Sequence, residues 1–295
     1  MRRIGYIALV IFVLWLVSFS LANIFKVSDF SEKIAIIPIY GEISLQSGSS
    51  FGVSSYTGSE DIIKFIEQVE NDPTIVAIMF DINSGGGGVV ASKEIAKAIS
   101  EMKKPNVAVI REVGASGAYW AASATDKIYA DDMSMTGSIG VFGSYLEFSG
   151  LMEKYGIGYE QLIAGDYKDM GVPYRKLTAE EKFIIQKMLD KIHENFINEV
   201  AKNRHVDVSI VKKWANGNVY LGIEAYDMGM IDAIGGKKEA EEYLKQRLNI
   251  TEVNIITMEQ ENNLWSMLDA FSSKTAFAFG KGVSSAFEQQ SLAKV

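Results

Sequence analysis

The chain contains no cysteine among its 295 residues. That excludes disulfides, thiolate zinc sites and a cysteine nucleophile together. Only two histidines occur, His193 and His205, which argues against chemistry needing several imidazoles. Positive charge is also short. Against 37 Asp and Glu stand 29 Lys and Arg, a formal net charge of −8, and nucleic acid is a poor partner for such a surface. No metal and no cofactor are expected, so the chemistry falls to oxygen and amine side chains and to the backbone. With 48% hydrophobic residues the chain can fill an ordinary core, and its length is long for one domain and short for two.

The apolar content is concentrated at the start. No charged residue occurs from Ile4 to Phe25, and such a run matches the ~20 residues needed to cross a ~30 Å hydrocarbon slab. Arg2 and Arg3 precede it, so the positive-inside bias puts the amino terminus in the cytoplasm and the body outside. Ser20-Leu21-Ala22 has the small-x-small pattern of a signal-peptide cleavage site. The run exceeds the ~7–15 residues of a signal h-region, which favours an uncleaved anchor over residues 4–25. The expected location is the cell membrane, single-pass, with the body extracytoplasmic.

The body alternates strand and helix patterns. Ile34–Tyr40 reads as a strand despite Pro38, and residues 44–58, rich in Gly and Ser, read as a long loop. Ile62, Ile63, Phe65, Ile66 and Val69 recur at helical spacing. Ile75–Ile82 is a short apolar run suited to a buried strand, Val89–Met102 is helical again, and Asn106–Arg111 is another strand. This rhythm implies an α/β fold with a largely parallel sheet. Thr178-Ala-Glu-Glu181 is a capping box opening a long helix, whose stripe Ile185, Leu189, Ile192, Phe196 and Val200 points at a core. A short helix starts near Asp207, and Glu239–Leu248 is helical. Beyond Glu259, Leu264, Met267, Leu268 and Phe271 give the tail an amphipathic reading, with packing in the core or on a subunit favoured over membrane contact.

Two glycine-rich turns are site candidates. Asn83-Ser84-Gly85-Gly86-Gly87-Gly88 lies between a strand and a helix, where glycine lets backbone N–H groups approach a ligand. Its overlap with the dinucleotide pattern G-x-G-x-x-A is loose, and a tight structural turn is the alternative. Gly114-Ala115-Ser116-Gly117-Ala118-Tyr119-Trp120 resembles a nucleophile elbow without the last glycine of G-x-S-x-G. If Ser116 attacks a carbonyl, a base must take its proton. His193 lies within the long helix and His205 at its end, both poorly placed for that role. Lys168, in Gly165-Asp166-Tyr167-Lys168 after an apolar strand expected at Tyr159–Ala164, is the remaining base. A lysine with an unperturbed pKa of ~10.4 needs roughly 4 kcal/mol of desolvation to reach ~7.5.

These blocks resemble a known family when read in order. Asn83–Val90, Ala115–Trp120, Thr136-Gly137-Ser138-Ile139-Gly140-Val141 and Gly165–Lys168 are similar to the signature blocks of signal peptide peptidase A, serine peptidase family S49. The resemblance spans about residues 33–250 and implies a Clp protease/crotonase-like core of repeated ββα units arranged as a spiral. It divides the chain into an anchor (1–25), a peptidase domain (26–250) and a tail (251–295). It implies a serine endopeptidase with a Ser–Lys dyad: Ser116 as nucleophile, Lys168 as general base, the N–H groups of Gly86 and Gly117 as the oxyanion hole, and Ser138 orienting the lysine. It further implies a homo-oligomeric ring in which a neighbouring subunit supplies the lysine, with hydrophobic peptides such as released signal peptides as substrates. The sequence departs from the family pattern at Gly85, where proline is usual and glycine would loosen the loop, and at Ala118, where a second glycine is usual. At Asp169, a carboxylate approaching the lysine would oppose its role as a base. The other readings are a crotonase-like acyl-CoA enzyme, disfavoured by export of the body, and a non-catalytic membrane scaffold ring, disfavoured by the intact Ser116 and Lys168.

Overall fold

The computed structural model describes residues 12, 13, 15, 32–50 and 54–259. The expected anchor lies outside the described residues apart from Phe12, Val13 and Trp15, which are helical. Among the described residues no helix is long and apolar enough to cross a membrane. The chain divides into two units, residues 1–258 and 259–295, and the expected amphipathic tail lies outside the described residues.

In chain order the first unit contains β1 (Lys33–Ser44), β2 (Gly48–Ser50), β3 (Ser54–Gly58), α1 (Ser59–Asn71), β4 (Ile75–Gly87), α2 (Val89–Ser100), β5 (Asn106–Ala115) and α3 (Gly117–Ser123). It continues with β6 (Lys127–Ala130), β7 (Met135–Gly137), α4 (Ser149–Lys154), α5 (Ala179–Arg204), α6 (Val208–Trp214) and β8 (Val219–Leu221). The last elements are α7 (Gly222–Asp227), β9 (Ala233–Ile234), α8 (Lys237–Leu248) and β10 (Asn254–Thr257). The sheet runs β2-β3-β1-β4-β5-β6-β9, with β10 on β1 and β7 between β5 and β8. From β3 to β9 the neighbours are parallel, as the alternation of strands and helices requires.

Side-chain alternation along the central strands explains the layers. Ile37, Ile39, Phe80, Ile82, Ala108 and Ile110 face one side, where Ile62, Ile95, Tyr119, Phe196 and Val211 from five helices cover them. Ile34, Ile36, Met79, Val107 and Val109 face the other, against Ala240 and Leu244 of α8. Both faces of the sheet are thus buried, which is why these strands read as nearly unbroken apolar runs. Pro38 falls between the stretches of β1 paired with β10 (Lys33–Ile36) and with β3 (Glu42–Ser44). No second strand needs its missing N–H there.

Three expectations are corrected. The Gly/Ser-rich stretch is not wholly a loop: β2 and β3 pair antiparallel, and Tyr56, Thr57 and Gly58 join the edge of β1. Tyr159–Ala164 is not a strand: among the described residues no strand lies beside it to complete a ladder, and Leu162 is fully exposed. Of the α5 stripe, Phe196 and Val200 are buried in the core with Ile197 and Ala201 beside them, while Ile185, Leu189 and Ile192 are only partly buried. The capping box that opens α5 is present as expected: Thr178 Oγ1 accepts from the Glu181 N–H, and the Glu181 carboxylate accepts from the Thr178 N–H.

Candidate active site

The site sits at the carboxyl ends of the parallel strands, where open α/β sheets place their ligands. Pairing of Ser84 with Gly114 fixes the register between β4 and β5. Two residues further along, Gly86 meets the Ser116 turn. A Cβ on Gly86 would lie 2.6 Å from the Gly117 nitrogen and 2.9 Å from the Ala115 oxygen, so only glycine permits this approach. On the other side Ala115 pairs with Gly137 of β7, and the Ser116 N–H donates to the Gly137 oxygen at 2.8 Å. The next residue, Ser138, therefore stands beside Ser116. Its own N–H donates to the Asn218 oxygen at 2.7 Å.

Ser116 caps α3 with φ 53° and ψ −124°. Positive φ is costly for a residue with a Cβ, about 1–3 kcal/mol, and such strain collects at functional turns. The surrounding bonds hold it there: the N–H is tied to β7, and the Ser116 oxygen accepts the Trp120 N–H at 3.0 Å. Ser138 shares the positive φ, at 50°. The N–H of Gly117 opens α3, among the donors that a helix cannot satisfy through its own ladder. Gly87 and Gly117 both line the cavity beside Ser116. Gly86 does not line it, and its N–H donates to Ser84 Oγ at 3.1 Å, while that hydroxyl donates to the Gly41 oxygen at 2.5 Å. Gly87 as a wall of this cavity was missed in the sequence, where four consecutive glycines are indistinguishable.

Lys168 is exposed on a turn closed by its N–H donating to the Gly165 oxygen at 3.2 Å, and it does not line the Ser116 cavity. Its neighbour Asp169 is buried and turned elsewhere. Arg175 reaches both Asp169 oxygens, with Nε and Nη2 at 2.5 and 2.8 Å, and also binds both oxygens of the buried Glu181. Both Asp169 oxygens are thereby engaged by a guanidinium. Arg175 also pins the lysine turn to the start of α5. The hydrogen bonds from Arg175 hold the Asp169 carboxyl below its ordinary range. Glu181 is held at about 2, chiefly by Arg175 and then by the Thr178 N–H.

The two histidines take other positions. His193 Nε2 lies 3.3 Å from the Ile139 oxygen, and His205 ends α5 in the left-handed conformation. Gly85 has open space where a Cβ would sit and no left-handed φ, so the loop tolerates a side chain there. Ala118 is fully buried in the core beneath α3, where its methyl group fits.

The model of "Peptidase family S49" matches residues 98–251. This chain belongs to peptidase family S49. A protein of Methanocaldococcus jannaschii named as a candidate protease is 32% identical over 296 residues, covering 96% of this chain and 94% of the relative. A candidate signal peptide peptidase, SppA, of Enterococcus faecium is 31% identical over 234 residues, covering 78% of this chain and 68% of the relative. Among solved structures, a variant of the 1510-N membrane-bound stomatin-specific protease aligns with a TM-score of 0.53 at 13% identity. It covers 78% of this chain and 99% of the other, and establishes likeness of fold. As a member of that family the chain is a peptidase.

Proposed function

We propose that this chain is a membrane-anchored serine endopeptidase that degrades hydrophobic peptides, released signal peptides among them, at the external face of the membrane. The observation that carries the reading is Ser116, held at positive φ between two glycine turns at the carboxyl ends of the parallel strands. Ser116 Oγ gives its proton to the neutral amine of Lys168 and bonds to the scissile carbonyl carbon. The carbonyl oxygen takes the negative charge and is held by the N–H groups of Gly117 and Gly86, the latter leaving Ser84 Oγ for the substrate. Collapse breaks the C–N bond, and the lysine ammonium returns the proton to the departing amine. Water then repeats the sequence on the acyl-enzyme and frees Ser116. Ser138, beside Ser116 in register, orients the amine.

A lysine works as a base only when desolvated. Lys168 is exposed in the single chain, so in this reading the lysine of one copy serves the serine of the next in a closed ring. Support comes from the apolar side chains left uncovered on the segment that precedes it: Phe142, Leu146, Leu151, Tyr155, Ile157 and Leu162 are all more than half exposed. Such a patch on one segment is unusual unless another chain covers it. The anchor over residues 4–25 fits the membrane-bound description of the 1510-N protease.

The test is covalent labelling of the purified full chain with a serine-reactive phosphonate, mapped by mass spectrometry, alongside cleavage of an apolar peptide. Label is expected on Ser116, with loss of label and cleavage in Ser116→Ala. Label that survives Ser116→Ala, or a full rate in Lys168→Ala, overturns the assignment.

A further inference from the structure

The segment between β7 and α4, residues 138–148, has no regular structure, yet Gly140, Val141 and Phe142 line the cavity beside Ser116. Its ends are tied down. The Ser138 N–H donates to the Asn218 oxygen and the Phe148 N–H to the Pro173 oxygen, each at 2.7 Å. Between them, among the described residues, the backbone of residues 139–147 makes one hydrogen bond, and a side chain provides it. His193 Nε2 lies 3.3 Å from the Ile139 oxygen. A carbonyl only accepts, so Nε2 is the donor.

That bond controls a peptide plane that little else restrains. The Ile139 side chain is fully buried in the core, which fixes its depth. Its carbonyl belongs to the peptide leading into Gly140, and glycine leaves such a plane free to turn. A Cβ on Gly140 would lie 3.2 Å from Gly217 Cα, so the loop is pressed against a neighbouring turn on one side. The imidazole is its polar tie to α5. His193 is half-buried and stands three residues before Phe196, which lines the same cavity and stacks on Trp120 with centroids 4.4 Å apart. Residues three apart on a helix are neighbours on its surface. One stretch of α5 thus forms part of the cavity through Phe196 and holds another part through His193.

We infer that His193 is a positioning residue of the peptidase site. Its imidazole sets the Ile139–Gly140 peptide, and thereby the wall that Gly140, Val141 and Phe142 present to substrate. His193 does not line the cavity itself, so it acts through the loop. The inference rests on Ser116 being the nucleophile.

The test is kcat and KM of the full chain on one apolar peptide, for wild type, His193→Gln, His193→Asn and His193→Phe. The amide of glutamine reaches about as far as Nε2, whereas the shorter asparagine stops near the position of Nδ1. One net hydrogen bond corresponds to about fivefold in an equilibrium, and His193→Asn and His193→Phe are expected to raise KM by about that factor. Their kcat stays within about twofold of wild type, because the wall binds substrate and moves no proton. His193→Gln is expected to keep both constants near wild type. The Asn and Gln pair decides the matter even where the phenylalanine variant fails to fold. A wild-type KM in His193→Asn, a glutamine variant as impaired as asparagine, or a loss confined to kcat overturns the inference. Phosphonate labelling of Ser116 separates the two levels of failure. A labelled Ser116 with indifferent His193 variants defeats the positioning role alone, whereas an unlabelled Ser116 with no cleavage defeats the nucleophile assignment as well.

Discussion

Adjacent glycines in the Ser84–Gly88 loop provide a demanding test of the site geometry, because one is required by its surroundings and the other is not. Gly86 has φ +94°, and a Cβ there would meet the Gly117 nitrogen at 2.6 Å and the Ala115 oxygen at 2.9 Å. Both are backbone atoms, so no side-chain rotation relieves the contact. The backbone conformation costs a residue with a Cβ about 1–3 kcal/mol, and overpacking adds about 1–3 kcal/mol. Gly86→Ala is therefore expected to destabilise the chain by about 2–6 kcal/mol. At about 2–4 °C per kcal/mol for domains approaching this size, Tm falls by roughly 4 °C or more. Gly85 has open space at the Cβ position and no positive φ. Gly85→Ala is expected to be neutral or to stabilise by up to about 1 kcal/mol, through the lower entropy of the unfolded chain. The assay is thermal unfolding of the full chain followed by circular dichroism, with phosphonate labelling of Ser116 on each variant. Equal Tm values for the two variants would refute the claim that Gly86 is the contact between the loops.

Two further predictions concern the anchoring of the lysine turn. Glu181 is held at about 2 against an ordinary 4.5, so its charged form favours the folded state above pH 4.5 and that contribution is lost as pH falls towards 2. Arg175→Gln should flatten this acid-induced loss in the urea midpoint, and an unchanged pH profile would contradict the assignment to Arg175. Thr178→Ala removes the hydroxyl that accepts the Glu181 N–H and is expected to lower unfolding free energy by about 1 kcal/mol, as read from urea denaturation.

Legibility of the fold in the sequence followed burial. Ile75–Ile82 and Asn106–Arg111 read correctly as buried strands because both their faces are apolar, and Thr178 and Glu181 announced the start of α5 through capping chemistry alone. The sheet edge was harder. Whether Tyr56 and Thr57 form β3 depends on β1 offering a free edge, which local composition does not encode. The apolar stretch Tyr159–Ala164 has strand-like content but no partner strand among the described residues, and pattern alone cannot supply one. At the site, the strand-to-helix turn that holds Ser116 was legible because Gly114 and Gly117 flank it after a buried strand. Arg175 was not, since it joins Asp169 to Glu181 in space and leaves no periodic or motif signal.

Subunit mixing tests the central claim most directly. Ser116→Ala and Lys168→Ala chains, each expected to be inactive alone, are co-expressed in equal amounts and assayed for peptide cleavage. A site that joins the serine of one copy to the lysine of the next regains activity, about one quarter of wild type for random mixing in a closed ring. Activity that stays at the level of the separate variants contradicts a serine peptidase site shared between copies.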